Sequence, residues 1–327
     1  MIKRENPFDK IYRQCNGKSN LEKYDLFKNK CVKIPTHLDV ELTNYCNIRC
    51  NMCPVGTAAM KRDQGFMNED VFEKIVHNIK KFHIQGVRFI RWGEPTLHPR
   101  FVEWGGVLKS EGVLVHFNTN GLLLTEEMIK EIIDLKIDSI KFSFQGIDEI
   151  TYSEMRSGGS YTQLIDVIKT MHKMRGDREK PYISVSTSTT YETEGEIIRF
   201  REEISKWCDE VNVGKTLLEH VDVMRMGLTE ERQQIYEQFI KEKSWNMSRP
   251  VACAEIWDKL SINWDGNVSA CCADYDNMMI VGNILENDLQ ELFCGEKERQ
   301  YREILKNDNY DILPLCRNCY EYIPLKY

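Results

Sequence analysis

Apolar and polar positions alternate with two different periods along this chain, and the switch between them recurs six times between residues 37 and 215. Six short runs rich in Val, Ile, Phe and Tyr read as strands: HLDVEL (37–42), VRFIRW (87–92), LVHFNTN (114–120), SIKFSF (139–144), YISVSTST (182–189) and EVNVGK (210–215). Between them, segments 68–82, 101–112, 126–136, 162–174 and 195–208 carry apolar residues at helical spacing. Strands separated by helical crossovers predict an α/β fold with a parallel sheet. Six units fall short of the eight that close a full barrel, so the pattern predicts a partial (βα)6 TIM barrel or a doubly wound sheet. In both architectures ligands gather at the C-terminal ends of the strands.

After residue 226 the rhythm changes. A helical stretch at 229–243 leads to a hairpin, KLSINWDGNVSACC (259–272), turning at Asp265-Gly266, and a last helix is expected over 288–306. The expected division is an N-terminal extension without clear period (1–35), the barrel (36–225), a linker helix (226–249) and a small C-terminal domain (250–327).

Composition narrows the class. Apolar residues at 42% and charged residues at 29% suit a folded domain of ordinary kind. A net charge of −7 with no offsetting basic tract argues against a nucleic-acid binder. No uninterrupted apolar run approaches the length of a membrane span, and the first residues lack the apolar core of a secretory signal. The expected location is therefore the cytoplasm, where thiols stay reduced and twelve cysteines favour metal or catalytic use over disulfides.

Cys46, Cys50 and Cys53 follow the first strand with spacing C-x3-C-x2-C. A structural zinc site wants four protein ligands, whereas three thiolates suit a [4Fe–4S] cluster with one iron left for a small molecule. Spacing alone leaves open a zinc site that borrows a distant fourth cysteine.

The loop and its companions resemble the radical S-adenosylmethionine (SAM) enzymes. The Cys46–Cys53 loop matches their CxxxCxxC signature, and Trp92-Gly93-Glu94-Pro95 matches their GGEP stretch with tryptophan replacing the first glycine. Asn118-Thr119-Asn120-Gly121 and Ser143 match further strand-end positions, with Gln145 where aspartate is usual, and Arg156 sits where relatives carry an arginine. The resemblance implies that Cys46, Cys50 and Cys53 hold a SAM-binding [4Fe–4S] cluster. It also implies that Met52, Trp92, Gly93, Glu94, Pro95, Asn118, Asn120, Ser143 and Arg156 line the SAM site, the Gly93 backbone and the Glu94 carboxylate remaining available. A 5′-deoxyadenosyl radical would then take a hydrogen atom from substrate.

A second set, Cys253, Cys271, Cys316 and Cys319, resembles the SPASM auxiliary-cluster domain or its shorter twitch form. It implies one auxiliary [4Fe–4S] cluster with four protein ligands. Cys272 is the rival to Cys271 as ligand, and Cys272, Asp274 and Arg156 are the candidate catalytic residues. Cys208 and Cys294 are expected as buried thiols, and no cluster role is expected for Cys15 or Cys31.

The resemblance further implies a small-molecule substrate, a sugar or cyclitol oxidised at a secondary alcohol, and a flavodoxin- or ferredoxin-type electron donor. Neither a nucleic acid nor a membrane is expected as partner. Two alternatives stand beside it: peptide or protein modification, and epimerisation with Cys272 or Cys208 as hydrogen donor.

Overall fold

The computed structural model describes residues 3–12, 19–29, 32–216, 218, 220–242, 253–316 and 319. Cys15 and Cys31 lie outside them. Six parallel strands follow one another in chain order: β1 (His37–Val40), β2 (Gly86–Phe89), β3 (Leu114–Thr119), β4 (Ser139–Ser143), β5 (Tyr182–Thr189) and β6 (Glu210–Lys215). A doubly wound sheet reverses its strand order at a switch point. This sheet does not, so the partial barrel is the correct reading of the two.

Beyond a single turn at Asp9–Tyr12, the helices are α1 (Asn20–Asn29), α2 (Glu69–Phe82), α3 (Phe101–Ser110), α4 (Glu126–Asp134), α5 (Glu149–Met155), α6 (Tyr161–Arg175), α7 (Glu194–Ile204), α8 (Glu230–Glu242), α9 (Ala254–Asp258), α10 (Leu289–Phe293) and α11 (Glu296–Lys306). Asn68, Thr125, Ser160 and Thr193 start α2, α4, α6 and α7 by accepting a backbone N–H from the third helical residue. The expected helix over 288–306 divides at Gly295, whose added Cβ would lie 2.8 Å from Glu291 O.

Alternate strand residues separate two environments. Leu38, Val40, Val87, Phe89, Val115, Phe117, Ile140, Phe142, Ile183 and Val185 are buried together in the core. The intervening positions His37, Asp39, Arg88, His116, Lys141 and Ser184 make the inner face polar. TIM barrels commonly fill that space with branched aliphatic side chains. Here the polar groups engage one another, Asp39 with Arg88 and Lys259 and His116 with Asn118, and Phe8 packs edge-on against His116.

The C-terminal hairpin does not form a detached unit. Its strands β7 (Lys259–Ile262), β8 (Asn267–Ser269) and β9 (Ile280–Asn283) continue the barrel sheet, because β7 pairs parallel with β1. A partial barrel leaves the β1 edge with unpaired N–H and C=O groups, and the hairpin satisfies them. Charge reinforces the seam. Arg88 grips Asp39 at 2.6 and 2.7 Å, and Lys259 reaches Asp39 Oδ2 at 3.0 Å and also pairs with Glu255. Burial alone would raise the Asp39 pKa, but Arg88 and Lys259 outweigh it and hold the carboxyl well below the usual range.

The N-terminal extension, unassigned from sequence, braces the C-terminal part. Phe27 of α1 packs on Trp257 and Phe293, with the Arg302 guanidinium 4.2 Å from its ring centre. Asn20 Oδ1 accepts from Cys253 N at 3.2 Å and Trp257 Nε1 at 3.1 Å.

Candidate active site

The loop after β1 carries Cys46, Cys50 and Cys53 to one end of a cavity of about 380 Å³ at the C-terminal mouth of the barrel. Close backbone contacts shape the loop. Cys53 N donates to Cys50 O at 3.1 Å, and a Cβ on Gly56 would lie 2.2 Å from that same oxygen. Arg49–Cys50 forms a two-residue ladder with Arg156–Ser157, and Asn51 N and Nδ2 donate to Met155 O and Glu154 O at the end of α5. Burial pushes the Cys46 and Cys50 thiols up to about 11 and raises Cys53. Thiols in such surroundings lose their protons to a bound cation more readily than to water.

Gly93 and Glu94 join this loop to the ends of β2 and β3. Gly93 adopts φ +90° with its back against the loop, and Glu94 N donates to Tyr45 O at 2.8 Å. A Cβ on Gly93 would stand 2.4 Å from Thr43 O and 2.7 Å from Tyr45 O. Gly93→Ala is therefore expected to cost about 3 kcal/mol or more of stability through strain and overlap. A denaturant midpoint measured beside iron content would check this; a midpoint like the parent's would contradict it.

The Glu94 carboxylate, expected to be available at the SAM site, is engaged by protein donors. Glu94 is 2% exposed, and its oxygens accept from Thr96 N, Thr96 Oγ1 at 2.6 Å, Thr119 Oγ1 at 2.7 Å and Asn120 N at 2.7 Å. Burial raises its pKa, while these donors pull it down. Its carboxylate thus ties two strand ends together and caps the turn Pro95–Leu97. Asn120 is similarly engaged, donating to Asn47 Oδ1 at 2.8 Å and accepting from Leu122 N at 3.0 Å.

The remaining expected SAM-site residues meet around the same cavity. Met52, Trp92, Pro95, Asn118, Ser143 and Arg156 line it, as do Gly93, Glu94 and Asn120. Asn118 Oδ1 is held 2.8 Å from His116 Nε2, and the His116 pKa is lowered to about 3 by burial, then by Lys141 and Arg88. Arg156 Nη2 donates to Phe144 O at 3.0 Å, and its Nη1 lies 3.9 Å from Cys50 Sγ. Arg156 Nε and Trp92 Nε1 are buried with no protein partner among the described residues. Unpaired buried donors on a cavity wall fit a ligand with polar atoms, as SAM has.

The second cysteine set lies outside the cavity lining, and Arg91 joins the two by donating to Cys271 O at 3.1 Å. Cys253 and Cys316 border one apolar cluster built on Ile256, Trp257, Ala270, Met279, Leu305, Tyr310 and Leu313. The Cys271 thiol is pushed well up by burial and by neighbouring Glu255, Cys272 and Cys253, and Cys319 N donates to Cys316 O at 3.2 Å. This donor set fits an iron–sulfur cluster. Cys272 stands next to Cys271, its sulfur also within 4.8 Å of carboxylate oxygens of Asp39 and Glu255.

Two further expectations are corrected. Asp274 is fully buried and accepts from Ser269 Oγ at 2.7 Å, Met278 N at 2.9 Å and Met279 N at 2.9 Å. It fixes its own loop and is not presented to the cavity as a base. Cys208 packs in the core with its thiol on Ile204 O, away from the cavity, which removes it as a hydrogen donor. Its place as a buried thiol agrees with the alternative expectation, and Cys294 packs partly buried against the same core.

Sequence reasoning missed the residues that join the two halves. Arg91 lines the cavity, adopts φ +115° and donates to Cys271 O at 3.1 Å and Asp274 O at 2.7 Å. Such a backbone costs of order 1–3 kcal/mol in a non-glycine residue. Glu41 accepts from Arg62 at 2.8 and 2.5 Å, while Arg62 Nε donates to Tyr275 O and Arg62 N to Asp276 Oδ1. The available signal was charge at positions 39 and 41 inside an apolar strand, and arginine immediately before Trp92-Gly93.

A cysteine loop at the mouth of a partial barrel, with a second cysteine set beside it, defines an iron–sulfur enzyme of radical type. Residues 40–204 match the Radical SAM superfamily and residues 253–320 the SPASM iron–sulfur cluster-binding domain. The chain belongs to the radical SAM superfamily, and its cofactors are iron–sulfur clusters and SAM.

Among its relatives, the tungsten-containing aldehyde ferredoxin oxidoreductase cofactor-modifying protein of Pyrococcus furiosus is 26% identical over 319 residues, spanning 86% of each chain. The SAM-dependent 2-deoxy-scyllo-inosamine dehydrogenase of Niallia circulans is 21% identical over 292 residues, spanning 88% of this chain and 93% of that one. The crystal structure of BtrN with AdoMet and 2-DOIA superposes with a TM-score of 0.56 at 18% identity, covering 88% and 94%. That of anSMEcpe with AdoMet gives 0.64 at 17% identity, covering 83% of each chain. The two structural likenesses show a shared fold. Among the described residues no helix is long and apolar enough to cross a membrane.

Proposed function

We propose that this enzyme oxidises a secondary alcohol of a sugar- or cyclitol-like small molecule to a carbonyl. The observation that carries the proposal is the position of the cavity between the Cys46–Cys53 loop and Arg91, whose guanidinium is bonded to the Cys271 loop. Cys46, Cys50 and Cys53 would hold the SAM-binding cluster, and Cys253, Cys271, Cys316 and Cys319 the auxiliary one. When bound, the cofactors supply a radical that takes one hydrogen atom from the carbinol carbon and an acceptor for the remaining electron, while the hydroxyl proton is released.

The chain's own residues supply orientation and exclusion of water. Arg156 Nε and Trp92 Nε1, buried on the cavity wall, offer donors to the polar ends of ligands. Two-way coverage of the Niallia circulans dehydrogenase supports the same reading. An external flavodoxin- or ferredoxin-type protein would deliver the priming electron. A second reading, modification of a cofactor, is supported by the likeness to the Pyrococcus furiosus protein over 86% of each chain.

The test is anaerobic turnover with SAM, dithionite and 2-deoxy-scyllo-inosamine as probe, in deuterated water. The expected product has lost two hydrogens, carries no solvent deuterium at the reacting carbon and appears with 5′-deoxyadenosine. Deuterium at carbon in an otherwise isomeric product would mean epimerisation instead. A panel of cyclitols and hexoses left unchanged, with a cofactor precursor consumed, would favour the second reading.

A further inference from the structure

Arg91 stands where the barrel and the auxiliary loop meet. Its guanidinium is fully buried, and its two terminal nitrogens are committed to Cys271 O and Asp274 O, the carbonyls at either end of one short loop. Glu41 Oε2 lies 3.8 Å from Nε and is itself bonded by Arg62 at 2.5 Å. Its backbone adopts φ +115°, a conformation costly for a non-glycine residue. Arg49 makes a comparable contact with Cys46 O at 2.6 Å, but from an exposed position where water and salt screen its charge.

We infer that Arg91 is a positioning residue that holds the Cys271 loop against the cavity and raises the reduction potential of the auxiliary cluster. The inference rests on the proposal that Cys271 is a ligand of that cluster. Reduction adds negative charge to an iron–sulfur cluster, and potentials follow net charge, hydrogen bonding and burial. A permanent cation bonded to the carbonyl of a ligand residue, shielded from water, stabilises the reduced state. That is the direction an electron acceptor requires.

The experiment is an EPR-monitored redox titration of the full chain carrying Cys46→Ala, Cys50→Ala and Cys53→Ala, which leaves the auxiliary cluster as the signal. Arg91→Met is expected to disfavour the reduced state about tenfold, equivalent to about 59 mV for one electron. Arg91→Lys keeps the charge without the two-carbonyl grip, and an intermediate shift of about threefold in the same direction is expected. A potential unchanged from the parent overturns the inference. If Arg91→Met does not accumulate as folded protein, the lysine variant decides by the same criterion. Absence of a cluster signal before Arg91 is altered overturns the ligand reading and the inference with it, so the two failures are distinguishable.

Discussion

Replacing Cys46, Cys50 and Cys53 together by alanine is expected to abolish 5′-deoxyadenosine formation. The three thiols share one end of the cavity, and the loop that carries them is locked from several sides by Gly56, Gly93, Asn51 and Asn120. Removing the sulfurs leaves that scaffold in place while deleting the donors, so a loss of activity would report on chemistry more than on folding. Iron content should fall from roughly eight to roughly four per chain if two [4Fe–4S] clusters are present in the parent. The checks are chromatographic detection of 5′-deoxyadenosine and iron analysis of the reconstituted variant. Nucleoside formation at the parent's rate would refute the assignment of these cysteines.

Lys259→Met is expected to cost about 3–5 kcal/mol of stability, because it breaks a buried ion cluster from one side. The ammonium is 6% exposed and bonded to Asp39 and Glu255, with Arg88 on the opposite side of Asp39. Burial and Arg88 act to lower its pKa, yet Asp39, Cys272 and Glu255 carry it well above the usual lysine value. Methionine fills the volume but leaves Glu255 without its cation and Asp39 with only Arg88. Against a typical domain stability of about 5–15 kcal/mol, a loss of that size brings many chains close to unfolding. Urea denaturation of the two proteins measures it, and a change below about 1 kcal/mol would show that the seam does not depend on this charge.

The barrel was legible because its strands bury one face against helices, so period-two runs such as SIKFSF stand out from the helical spacing between them. The cysteine loop and its strand-end companions were legible because local spacing carries their chemistry. What escaped were relationships across the chain. α1 offers few apolar residues, and its partners Trp257, Phe293 and Arg302 lie more than 200 positions away. The hairpin around Asp265-Gly266 was visible, but its parallel pairing with β1 has no local signature. Glu94 and Asp274 show the same limit within the site. A carboxylate's residue type suggests reactivity, whereas its engagement by Thr96, Thr119 and Asn120, or by Ser269, Met278 and Met279, exists only after folding.

The pairing of β7 with β1 also bears on how the chain is made. β1 is complete at Val40, yet the strand that covers its outer edge ends at Ile262. At synthesis rates of about 5–20 residues per second, the interval spans roughly 10–40 s. During that time β2 can dock on one side of β1 while the other side remains an open template for a second nascent chain. Slow translation or crowded polysomes should therefore favour misassembly at this edge, and any segment that temporarily shields it would act as an intramolecular chaperone.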